Sequence, residues 1–61
     1  MRDQQFIITF KNNDIKDLFG KNCEIKHDFI FINYVKVAQT RKVDNIIAID
    51  KYSSREIFKN K

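Results

Sequence analysis

Cys23 and His27 are the only thiol and the only imidazole in this chain of 61 residues. A Cys-His nucleophilic pair needs hydrogen-bond reach. Along one extended strand their spacing puts the two Cα atoms roughly 13 Å apart at about 3.3 Å per residue, which is too far. The two are better explained separately, Cys23 as a small half-buried apolar residue and His27 as a turn residue. Structural zinc wants four ligands drawn from Cys and His, so a metal would need several chains or unusual carboxylate ligation. Asp14 and Asp17 share a face only if their segment is helical, and Lys16 and Lys21 beside them make a solvated charged surface the simpler account. Asp44 and Asp50 bracket a strand and read as turn and edge residues. Gly20 is the only glycine, so there is no Gly-rich phosphate loop. No catalytic, cofactor-binding or metal-ligating residue is expected, and the chain is not expected to be an enzyme.

The basic residues carry a more serious signal. Arg41 and Lys42 fall in an expected loop, and Lys51, Arg55, Lys59 and Lys61 give the last third a surplus of positive charge. Small barrels bind single strands by stacking bases on exposed aromatics beside such charges. The run His27-Asp28-Phe29-Ile30-Phe31-Ile32 is similar to the aromatic strand of cold-shock domains, with Tyr34 and Tyr52 as further stacking platforms. Against this stands residue choice. Phe, Tyr, Met, Ile, Asn and Lys, whose codons are A/T-rich, supply 34 of the 61 residues, while Gly, Ala, Arg and Pro supply six. That implies an AT-rich coding sequence. Nine of the twelve basic residues are Lys, which such a genome supplies by default, so the net charge of +4 is weak support for a nucleic-acid partner.

The elements that must position these residues are mostly strands. Residues 5–11 form the first, rich in β-branched and aromatic side chains, and stop at Asn12-Asn13-Asp14, which tolerate turn geometry. Residues 15–19 have two readings. Ile15, Leu18 and Phe19 have helical spacing, with Gly20 as a left-handed stop; a turn at Asn12-Asn13 makes the same segment a short strand pairing back on the first. Cys23-Glu24-Ile25-Lys26 alternates as a strand with one wet face, and His27-Asp28 turns into a strand over 29–37. Residues 43–50 form the last strand, with room for a single turn over 43–46. Ser53 and Glu56 have capping-box spacing and predict a short C-terminal helix presenting Ile57 and Phe58.

Apolar side chains occupy both faces of several of these strands. In extended geometry Phe29, Phe31 and Val35 point one way and Ile30, Ile32 and Tyr34 the other. Phe6-Ile7-Ile8-Thr9-Phe10 and Ile46-Ile47-Ala48-Ile49 share the property. A half-exposed strand alternates apolar with polar, so a second layer or a partner must cover the surplus. A domain this small is marginally stable without a staple, and one cysteine makes no internal disulfide. Self-association or partner binding is the remaining route to burial, most simply a two-fold dimer through Phe29, Ile30, Phe31, Ile32 and Tyr34. No apolar run approaches the roughly 18 residues that span a bilayer, and the apolar stretch after Met1-Arg2-Asp3-Gln4-Gln5 is too short for a signal peptide. A cytoplasmic protein in a reducing compartment is expected.

The order of these pieces resembles a group of small β-meander proteins of phages and mobile elements in Gram-positive bacteria. The likeness lies in Ile8-Thr9-Phe10-Lys11-Asn12-Asn13, in Glu24-Ile25-Lys26-His27-Asp28, and in the apolar segments 29–32 and 43–49, covering about residues 5–50. The chain departs from the group by lacking turn glycines. The resemblance implies an antiparallel, barrel-like sheet and a strand over 15–19; it carries no activity. The expected fold is mainly β: a small antiparallel meander or barrel-like sheet of four to five strands with a short C-terminal helix, in one domain. The expected function is a protein-binding or self-assembling module, such as a phage or plasmid accessory protein that modulates a larger partner. The alternative is a nucleic-acid-binding small barrel using Arg41, Lys42, Lys51 and Arg55.

Overall fold

β-Branched and aromatic residues at every second position give β1 (Gln4–Phe10) an inner face of Phe6 and Ile8, both buried. A computed structural model of the chain describes residues 4–60. Met1, Arg2, Asp3 and Lys61 lie outside the described residues, and with them the first three residues of the segment weighed as a signal peptide and the last of the basic residues. Asn13 takes a positive φ of 74° in the turn after β1, and the amide of Asp14 donates to Asn12 Oδ1 at 3.0 Å, the self-capping that suits Asn to turns. The chain then returns as β2 (Ile15–Gly20), antiparallel to β1. Of the two readings of this segment the strand holds.

β3 (Cys23–Lys26) turns at His27, φ 55°, into β4 (Phe29–Ile32). The single long strand expected over 29–37 does not form. Asn33 and Tyr34 both take positive φ, 54° and 64°, as a type I′ hairpin turn requires, and the chain reverses into β5 (Val35–Gln39). A single 3₁₀ turn, Thr40–Lys42, leads into β6 (Val43–Ile49), so the turn expected over 43–46 falls just before the strand instead. The expected C-terminal helix is a strand, β7 (Ser54–Lys59). Asp50 accounts for the difference, because its Oδ1 accepts from the amides of Tyr52 and Ser53 at 2.8 Å each. That tight turn drives the chain back along β6 and employs the Ser53 amide that a capping box would have used.

Among the described residues seven strands thus form two antiparallel sheets, in the orders β2-β1-β6-β7 and β3-β4-β5. They replace the expected single sheet of four to five strands, and they do not close into a barrel. The buried core between them is Phe6, Ile8, Ile30, Ile32, Val43, Ile46 and Ala48. At one corner the sheets approach closely: a Cβ on Gly20 would stand 2.7 Å from Ile32 Cγ2, and the Lys21 amide donates to Asn33 Oδ1 at 2.8 Å. Gly20 is therefore needed for space, and its φ is not positive, so it is not the left-handed stop of a helix.

Candidate protein-binding face

The register of the four-stranded sheet fixes what its outer face displays. Phe19, Gln5, Ile49 and Ser54 stand in one row across the strands; Asp17, Ile7, Ile47 and Glu56 stand in the next. Ile15, Thr9, Asn45 and Lys59 make the third. Ile7, Ile47 and Ile49 are only half-buried, while Phe19 is 64% and Ile15 68% exposed. The polar groups between them are tied down. Gln5 Nε2 donates to both carboxylate oxygens of Asp17 at 2.8 Å, and Asn45 Nδ2 donates to Glu56 Oε2 at 3.1 Å. An apolar centre with its flanking carboxylates already bonded to neighbours is suited to meet another protein surface.

The residues expected to make the interface are divided by the fold. Ile30 and Ile32 are inner-face core residues, 0% and 4% exposed, because β4 ends at Ile32 and has a sheet packed over that face. Phe29 and Phe31 stand half-buried on the outer face of the three-stranded sheet. Tyr34 is in the hairpin turn, 73% exposed. The expectation missed Ile7, Ile15, Phe19, Ile47 and Ile49 as one surface. The two-faced apolar runs 6–10 and 46–49 signalled it, but only their pairing with β2 shows that the surplus lies on one side.

Arg41, Lys42, Lys51 and Arg55 each border a different hollow. Arg41 is beside Lys11, His27 and Lys59; Lys42 is near Phe29 and Lys36. Lys51 lies beside Phe19 and Tyr52, and Arg55 beside Cys23 and Ile57. Tyr52 is exposed at the β6–β7 turn, and Tyr34 is in the β4–β5 turn, so the expected stacking platforms do not share a strand with the phenylalanines.

Cys23 and His27 stand at opposite ends of β3. Burial, and then the neighbouring Glu24 carboxylate, push the Cys23 thiol up from its ordinary range, which keeps it protonated and a poor nucleophile at neutral pH. Asp14 sits in the β1–β2 turn, accepting from Asn12 at 3.1 Å, and Asp17 lies out on the sheet face. Asp44 is the extra residue of a bulge, since Thr9 pairs with Asn45 and Phe10 with Val43. Among the described residues no three His, Cys, Asp or Glu side chains gather closely enough to hold a metal, and no helix is long and apolar enough to cross a membrane. The chain matches no protein-family model, and no similar curated protein or solved structure was found.

Proposed function

We propose that this chain is a small non-catalytic protein-binding or self-assembling module whose contact surface is the outer face of β2-β1-β6-β7. The observation that carries the reading is the Ile7–Ile47 pair at the centre of that face, continued by Ile49, Phe19 and Ile15, with no second sheet among the described residues packed over them. The simplest occupant is a second copy, because a two-fold axis through the Ile7–Ile47 pair sets each isoleucine against its counterpart. Four strands at about 4.8 Å spacing make a face of roughly 19 Å across, so a dimer would bury on the order of 800 Å² in total, within the range of weak, reversible complexes. A cytoplasmic accessory protein of a phage or plasmid, docking by the same face on a larger partner, fits this surface and the AT-rich residue choice.

Sedimentation velocity tests the reading. The wild type is expected to shift from monomer to dimer as concentration rises into the high micromolar range, and Ile47→Asp to remain folded and monomeric throughout. A wild type that stays monomeric there, and pulls no protein from its native host, would overturn it.

A further inference from the structure

The two sheets leave one side of the core open. β3 and β7 are each paired on one edge only, and both border the same pair of adjoining hollows. Cys23, Ile25, Arg55 and Ile57 line one, and Ile25, Phe58, Arg41 and Lys59 line the other. Ile25 marks the opening. It pairs with Ile30 on the inward side of its sheet, yet it is 42% exposed where Ile30 is 0%, since β3 has no strand on its other side. The Asn22 Oδ1 acceptor at the end of this seam is buried without a hydrogen-bond partner.

The charge along the seam has one sign. Lys11, Lys21, Arg41, Arg55, Lys59 and the turn residue His27 line it, with no carboxylate among the described lining residues. The carboxylates of the two edge strands face elsewhere: Glu24 pairs with Lys26 at 3.8 Å, and Glu56 accepts from Asn45 on the outer face.

We infer that the seam binds an extended acidic peptide, which adds as a strand to the free edge of β3 and lays its apolar side chains over Ile25 and Ile57. Main-chain hydrogen bonds to an open edge supply affinity in such docking, and alternate side chains supply specificity. β3 is the receiving edge because β7 carries a bulge at Ile57, between the Ile46–Phe58 and Ile47–Glu56 pairs, and bulges blunt edges. A second copy of this chain, with its net charge of +4, is a poor occupant. Single-stranded nucleic acid is disfavoured as well, since Phe58 is packed against the core and the exposed tyrosines lie outside the seam.

The probe is a fluorescein-labelled octapeptide of sequence Glu-Thr-Val-Thr-Val-Thr-Glu-Thr, which in a strand puts both valines and the flanking glutamates on one face. Its anisotropy should rise on titration with the protein, and backbone amide shifts should concentrate at Cys23, Glu24, Ile25 and Lys26. Replacing Glu by Lys in the peptide should abolish binding, and Arg41→Glu with Arg55→Glu should weaken it about tenfold or more, both side chains being exposed. A peptide N-methylated along one edge leaves the protein untouched and should not bind. Equal binding of the methylated peptide overturns strand addition, and tighter binding of an oligothymidylate at the same amides makes the seam a nucleic-acid groove instead. Because the seam is separate from the outer isoleucine face, Ile47→Asp should bind the peptide normally whether or not the wild type dimerises.

Discussion

On the outer face of the three-stranded sheet, Phe29 is roofed by a lysine, and Phe31 beside it has long charged side chains for neighbours. Lys36 Nζ stands 4.5 Å from the centre of the Phe29 ring, and Glu24 and Lys36 are the residues directly across from Phe31. Long charged side chains laid over aromatic rings cover apolar surface while keeping their charges in water. On the four-stranded sheet the central Ile7–Ile47 pair is flanked by Asp17 and Glu56. Those carboxylates are engaged by Gln5 and Asn45, and their apolar stems are shorter than that of lysine. The difference teaches that apolar count alone does not mark an interface. What matters is whether the cross-strand neighbours can fold over the apolar residue.

The comparison breaks if charge is tolerated in the wrong places. Ile30→Asp puts an unpaired carboxylate in the core and should unfold the chain, since that costs several kcal/mol against a stability of about 5 kcal/mol. Phe31→Asp, on the roofed face, should cost about 1–2 kcal/mol and leave any dimer intact. Ile47→Asp should cost no more than that and abolish the dimer. Circular dichroism melts and sedimentation of the three variants decide it. A Phe31→Asp that loses the dimer while Ile47→Asp keeps it would exchange the roles of the two faces.

Much of this division was legible in the residues, and the failures have local causes. β3 and the turns at Asn12-Asn13 and His27-Asp28 follow from alternation and turn chemistry, and β1 and β6 from their β-branched and aromatic content. The two-faced run at 29–35 was misread because the β4–β5 hairpin uses Asn33-Tyr34 where the usual signal is Asn-Gly. β2 looked equally helical because its outward residues, Ile15 and Phe19, are apolar. With inward Leu18 they make a spacing that fits a helix. β7 was hidden because Ser53 and Glu56 fit a capping box, and the bulge at Ile57 interrupts the strand's alternation.

The contact between the sheets can be sharpened at Gly20. Its added Cβ would meet Ile32 Cγ2 at 2.7 Å and Asn33 Oδ1 at 3.1 Å, pushing one sheet from the other. Gly20→Ala should therefore cost about 1–3 kcal/mol, read as a lower urea midpoint with unchanged slope. A neutral result would mean that the corner yields without disturbing the core. At the next corner Tyr34 has a φ of 64°, a conformation that disfavours side chains, and its ring is mostly in solvent. Tyr34→Gly should raise stability by a few tenths to about 1 kcal/mol, the relieved strain being partly offset by the entropy of glycine. A lower urea midpoint would show that the ring contributes more than its exposure suggests.

The corresponding turn of the four-stranded sheet is held differently, and it gives the smallest effect. The amides of Tyr52 and Ser53, with the Ser53 hydroxyl and Arg55 adding less, hold the Asp50 carboxyl below its ordinary value of 3.8. A carboxyl whose folded pKa is depressed stabilises the fold fully above its unfolded value and loses that contribution as pH falls through the folded value. Acidification below about pH 4 should thus loosen the β6–β7 hairpin and leave the Asn33-Tyr34 turn, which has no carboxylate, unaffected. Asp50→Asn keeps an acceptor oxygen without the charge. It should melt slightly lower than wild type at pH 6 and draw closer to it near pH 3, because the contribution of the wild-type carboxyl declines as the pH falls below 3.8 toward its depressed folded value. Parallel melting curves at the two pH values would show that Asp50 acts through shape alone.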